Sequence, residues 1–212
     1  MISVLLADDH DVVRAGVQCL LGLEDDIKII DEARNGEQAY EAYRKLSPDV
    51  LLMDMSMPGI GGLETLKRIL ARDNKAKVVI FSAHQNTTYA TQALANGAIA
   101  YVTKSDPGQD LINAIRQAAI GKHYLSTFMA REIALQSMTN FNNPANNLTA
   151  REFEIFRLIA EGRSHLDIGK QLNIGQKTVS NYQTTLKQKL DIETAVDFVR
   201  LAMRCGVIDN TV

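Results

Sequence analysis

Asp8 and Asp9, Asp54, Ser82 and Lys104 each stand at or just past the end of a short apolar run, in ISVLLADDH, DVLLMDMSMPG, VVIFSAH and IAYVTKS. Three clustered carboxylates repel one another unless a cation sits among them, and an all-oxygen donor set suits Mg2+. A carboxylate such as Asp54 can act as a nucleophile toward a phosphoryl group and form an aspartyl phosphate. The metal and the Lys104 ammonium would then neutralise charge on the equatorial oxygens, and the Ser82 hydroxyl can bind one of them. Each residue alone has an ordinary use, as a helix cap or a turn residue. Only their shared place, at the carboxyl ends of strands, makes a site of them.

The elements that must position them alternate. Residues 2–7, 28–33, 50–53, 78–81 and 99–102 are short and mostly apolar, as strands covered on both faces are. Between them, 12–21, 37–46, 63–72, 88–95 and 111–119 space apolar residues at three and four. Start signals precede them at Asp11, Asn35, Gly61-Gly62, Asn86-Thr87 and Asp106-Pro107. Five βα units predict an α/β fold, a five-stranded parallel sheet wound on both faces, over 1–124. The strand signal stops after Tyr124. Residues 125–147 read as a linker, with one more helix or a helical connection over 127–137. The Asn-rich run TNFNNPANN then reads as an exposed, flexible segment.

From Leu148 to Val212 the pattern is all helical, with four helices. Thr149 and Glu152 make a capping box before the first. Residues 166–172, a turn containing Gly175, and 178–190 have the spacing of a helix-turn-helix. Arg163 to Leu190 hold five basic residues and one acid, Asp167, so about +4 locally against −2 for the chain. Such a patch steers toward phosphates when doubled in a dimer.

Composition sets outer bounds. Apolar content of 46% and charged content of 23% are ordinary, and the net charge excludes a protein that coats nucleic acid by bulk charge. Cys19 and Cys205 have no metal or redox spacing, which suits a reducing cytoplasm. No apolar run approaches the roughly 20 residues that span a bilayer, and the start runs straight into a strand without a signal peptide. His10 and His84 lack a second histidine at ligating spacing and read as turn or rim residues. Met53, Met55 and Met57 read as packing around Asp54, with Met53 and Met55 pointing away from it.

ADDH, MDMSMPGIGGLE, Ser82 and the Tyr101-x-x-Lys104 spacing resemble the receiver domain of two-component response regulators. LTAREFEIFRLIAEG and KTVSNYQTTLKQKL resemble the LuxR-type helix-turn-helix of the NarL/FixJ family, and the wording is similar to the GacA/UvrY/LetA subgroup. The resemblance implies a flavodoxin-like receiver and a regulator rather than an enzyme. Asp54 would accept phosphate from a sensor histidine kinase or a phosphotransfer protein, with Lys104 as the phosphate partner. Asp9, Asp54 and the Ser56 carbonyl would ligate Mg2+, with Asp8 acting through water. Ser82 and Tyr101 would form a switch pair, Tyr101 turning inward as Ser82 is drawn to the phosphate.

It further implies that Ser180, Asn181 and Thr184 face base edges of double-stranded DNA while Lys177, Tyr182 and Lys187 hold phosphates. The last helix would supply a homodimer contact, at least in the phosphorylated protein, and RNA polymerase would be a partner. The unphosphorylated receiver would mask the recognition helix or the dimer surface, and the output in that subgroup is transcription of small regulatory RNAs. Two positions depart from the pattern. Gly61 stands where many receivers carry Asp, and Ser180 where many relatives carry Lys. Two other classes use such acids: an aspartyl-phosphate phosphatase, whose second acid would fall at Ser56, and a metal-dependent interaction module.

Overall fold

Runs of Val, Leu and Ile too short for helices become strands of one parallel sheet. The computed structural model describes residues 1–138 and 143–208. The strands are β1 (Ile2–Ala7), β2 (Ile27–Ala33), β3 (Val50–Met53), β4 (Val78–Ser82), β5 (Ala100–Thr103) and β6 (Tyr124–Leu125). Helices α1 (Asp11–Leu21), α2 (Gly36–Leu46), α3 (Gly62–Arg72), α4 (Thr87–Ala95) and α5 (Gly108–Ala119) follow the first five. The sheet order is β2-β1-β3-β4-β5-β6, all parallel. The strand order reverses around β1 and β3, and the crevice of such a fold opens at their carboxyl ends.

The five strands expected from the sequence are present. A sixth joins the edge of β5, pairing Ala100 with Tyr124 and Tyr101 with Leu125. Two residues are too few to show a period, so the sequence reads as if strands stopped there. Asn35 and Asn86 cap α2 and α4 with their side chains. Asp106 does not cap α5; its carboxylate takes the Thr103 N–H instead.

Beyond the sheet lie α6 (Thr127–Met138), a 3-10 turn at Pro144–Asn147, and α7 (Ala150–Ala160), α8 (His165–Gln171), α9 (Gln176–Leu190) and α10 (Ala195–Arg204). The expected flexible connection is corrected where it can be seen; residues 139–142 lie outside the described residues. Asn143 and Ala145 are buried, and Asn143 donates to Thr88 Oγ1 at 2.8 Å. A polar run looks solvated in sequence, but here its amide completes a buried hydrogen-bond network. No described helix is long and apolar enough to cross a membrane.

The α1 and α5 face of the sheet has its own core, around Val17, Leu52, Val102 and Ile115. The opposite core does not end with the sheet. It runs from Met53 and Ile80 through Tyr89 and Met129 to Phe153, Phe156, Leu186 and Phe198. Polar contacts lace the same seam. Thr88 Oγ1 donates to the Cys205 carbonyl at 2.5 Å and Gln92 to the Ala145 carbonyl at 2.7 Å. The loop between β3 and α3 is held as well. The Gly59 N–H donates to the Gln171 carbonyl at 3.0 Å, and Arg151 bridges the Ile60 and Leu172 carbonyls.

Gly62 lets that loop close. A Cβ there would lie 2.6 Å from the Met55 carbonyl oxygen and 2.7 Å from the Met55 Cα, both backbone atoms that cannot swing away. Gly62→Ala is expected to lower stability by about 1–3 kcal/mol through overpacking. Urea denaturation reads this as a lower midpoint, and an unshifted midpoint would show that the loop has room to spare.

Candidate functional site

Two backbone bonds extend the sheet by one residue and set the key acids side by side. The Asp54 N–H donates to the Ala7 carbonyl at 2.8 Å, and the Asp8 N–H to the Ala33 carbonyl at 3.0 Å. Lys104, just past β5, reaches across with Nζ 2.7 Å from Asp8 and 3.2 Å from Asp54. Asp8 and Asp54 are buried, whereas Asp9 lies at the rim. The His10 Nδ1 sits 3.1 Å from Asp8 and 3.0 Å from Asp9, and ligand atoms of Asp8, Asp9, His10 and Asp54 all fall within 4.8 Å of one another.

Burial pushes the Asp54 carboxyl above the ordinary aspartate value, and the Asp8 charge adds to this against the pull of Lys104 and the Met55 N–H. The buried Arg14 guanidinium anchors the turn by donating to the Asp8 carbonyl at 2.7 Å and to Glu32 at 2.9 Å.

A second group of contacts surrounds this crevice. Ser82, closing β4, is fully buried, and its Oγ accepts the His84 N–H at 3.2 Å. Tyr101, in β5, is also fully buried and donates its hydroxyl to the His84 carbonyl at 2.7 Å. Burial holds the Tyr101 phenol well above its ordinary value, so it stays a donor. The Ser56 Oγ lies 2.9 Å from the His84 Nε2.

In the helical unit, α9 buries Val179, Leu186 and Leu190 and leaves Lys177, Ser180, Asn181 and Thr184 exposed. Their spacing of three and four places these four on one face. Tyr182 and Lys187 are half-buried beside it. Lys189 instead turns inward to Glu152 at 2.8 Å, which removes one charge from the expected basic patch.

Residues 4–116 match the family described as response regulator receiver domain, and residues 146–202 match bacterial regulatory proteins of the luxR family. The chain is a LuxR-family response regulator. GacA of Pseudomonas aeruginosa is 35% identical over 99% of this chain and 99% of its own. UvrY of Escherichia coli K12 is 36% identical over 98% of this chain and 96% of its own. RcsB from Salmonella enterica serovar Typhimurium, solved on promoter DNA with the phosphomimetic BeF3−, shares the fold at a TM-score of 0.73. It is 24% identical and covers 94% of this chain and 97% of its own.

The regulator thus brings together Asp8, Asp9, Asp54 and Lys104, with Ser56, Ser82 and Tyr101 linked through His84 at the edge of the same crevice. Tyr101 points inward in this structure, and Lys177, Ser180, Asn181 and Thr184 of α9 are exposed. The receiver meets the turn that closes α10, and also α7 and the end of α8. The departure at Gly61 has a physical reason. It sits at φ +81, and a Cβ there would lie 3.6 Å from the buried Glu154 carboxyl carbon, so an aspartate would set two carboxylates together.

Arg14 escapes the sequence reading, and His84 reads there only as a turn or rim residue. An arginine within α1 carries no motif, and only the fold shows that it holds the Asp8 backbone. His84 follows Ser82 by two positions, which places it at the crevice but says nothing of its contacts.

A carboxyl raised by burial favours the protonated form in the folded state. Its contribution to stability is therefore present below the unfolded aspartate value and is lost as pH rises through the folded one. At neutral pH the charged Asp54 works against the fold, so Asp54→Asn is expected to raise Tm. Calorimetry at pH 7 without divalent cation measures it, and an equal or lower Tm would show that Lys104 fully compensates the charge.

Proposed function

We propose that the protein is a DNA-binding regulator of transcription, controlled by phosphoryl transfer to Asp54 from a sensor histidine kinase or a phosphotransfer protein. The buried Asp54 carboxylate beside Lys104, at the strand-order switch point, carries the reading. An Asp54 oxygen attacks phosphorus as the N–P bond of a donor phosphohistidine breaks, leaving the imidazole to take a proton. Lys104, which now bridges Asp8 and Asp54, neutralises an equatorial oxygen. The Ser82 hydroxyl donates to another.

The donor set fits Mg2+, with hard oxygens and two buried carboxylates whose charges exceed that of one lysine. Asp9, Asp54 and the Ser56 carbonyl would hold it, with Asp8 acting through water. When bound, it supplies the positive charge that admits a phosphoryl group among three acids. Crowding by carboxylates makes the site one for charge input, so the chain works as a regulator rather than an enzyme.

The output is double-stranded DNA, read in the cytoplasm by α9. Ser180, Asn181 and Thr184 face base edges, and Lys177, Tyr182 and Lys187 hold phosphates. The Thr184 hydroxyl donates to the Ser180 carbonyl at 3.1 Å, which leaves its oxygen lone pairs and its methyl group for a base. Pairing through α10, where Val196 is exposed, places two such helices on paired half-sites, with RNA polymerase as the downstream partner. The domains follow as a receiver over 1–124, a connection over 125–147 and the DNA-binding unit over 148–212.

Genome-wide footprinting of wild type against Asp54→Asn tests the control. Occupancy is expected to fall in the variant at most sites, and equal occupancy would sink phosphorylation control. Lys177→Ala tests the DNA face: affinity is expected to weaken about equally on all sequences, with the salt slope reduced by about one. A sequence-dependent loss would instead make Lys177 a base-reading residue.

A further inference from the structure

His84 reads in the sequence as no more than a turn or rim residue, yet among the described residues it contacts four different groups. Its N–H donates to Ser82 Oγ at 3.2 Å and its carbonyl accepts the Tyr101 hydroxyl at 2.7 Å. Its Nε2 lies 2.9 Å from Ser56 Oγ. Its ring lies flat on Tyr89, with centroids 3.8 Å apart and planes within 7°.

The first three partners surround Asp54: Ser82 closes β4, Tyr101 lies in β5, and Ser56 follows Asp54 by two residues. The fourth faces the other way. Tyr89 donates its hydroxyl to the Val207 carbonyl at 2.9 Å, in the turn after α10. It also sets its ring edge-on to Phe153 of α7 at 5.2 Å. A single residue therefore touches three groups at the rim of the phosphoryl site and the tyrosine that seats the DNA-binding unit.

We infer that His84 is a positioning residue that carries the state of Asp54 to the DNA-binding unit. The inference rests on Asp54 as the phosphoacceptor. When Ser82 turns its hydroxyl toward a phosphoryl oxygen, its bond with the His84 N–H is strained or lost. When the Ser56 backbone is drawn toward a cation, its Oγ moves relative to the imidazole. Two anchors of His84 thus change together, while Tyr101 keeps the residue on a short tether.

Tyr89 is buried between the His84 ring and Phe153, and a close-packed ring passes on a displacement that it cannot absorb. The stack prefers a narrow geometry, so a tilt of the imidazole loosens the Tyr89 bond to Val207. Coupling of this kind is reciprocal: whatever seats Val207 also biases the phosphoryl site.

The full-length chain is titrated with BeF3− and Mg2+ while amide hydrogen exchange at 205–208 reports how firmly the turn is seated. In wild type, exchange is expected to rise about fivefold or more, the low end of usual couplings. His84→Phe keeps a ring on Tyr89 but loses the bond to Ser56, and His84→Gln keeps a hydrogen-bonding group but loses the stack. Both variants are expected to bind BeF3−, with the response at 205–208 lost in His84→Gln and weakened in His84→Phe, which keeps its backbone bond to Ser82 and its stack.

A residue that only supports the fold would raise exchange equally with and without BeF3−. An undiminished response in either variant therefore overturns the inference. Binding to wild type with no change at 205–208 overturns the relay and leaves the role of Asp54 standing. No binding to wild type overturns the phosphoacceptor reading, and the inference falls with it.

Discussion

Two buried carboxylates share one ammonium, and much else in the molecule follows from that imbalance. Asp8 and Asp54 are forced together by adjacent strands, and Lys104 alone cannot neutralise both at neutral pH. Desolvated like charges are costly, so the crevice is poised to take up a cation. With that cation in place, an anion can follow.

The energetics of the two units are joined for a different reason. One apolar core passes from the sheet through Tyr89 and Met129 into the helices around Phe153 and Phe156. Buried bonds from Thr88, Tyr89, Gln92 and Asn143 close the polar gaps in that seam. A seam made of both kinds of contact is bistable rather than elastic, because separating it exposes apolar area and unpaired polar groups at once. It holds firmly or it opens.

Much of this was legible from residues alone, because the receiver relies on strongly local rules. Apolar runs of four to six residues, each ending in a polar group, placed β1, β3, β4 and β5 and the acids within a residue or two. Thr149 and Glu152 announced the start of α7, and both bonds of the capping box are present. What stayed hidden depends on long-range packing. Asn143 lies in a run that reads as solvated linker, yet its amide bonds with Thr88, 55 residues earlier. The short β6 carries no period of its own and exists only because β5 offers an edge. Lys189 reads as part of a basic face until Glu152 claims it.

The face of α9 lies open while the turn after α10 is held against α4. On the proposed reading of α9, a monomer in this arrangement would still present its basic face to DNA phosphates. What the contact with α4 would restrain is the pairing of two copies on adjacent half-sites. Control would then fall on cooperativity rather than on contact. With pairing required, occupancy of paired sites would rise with the square of the released fraction, and a graded signal at the crevice would become a sharper threshold at the promoter.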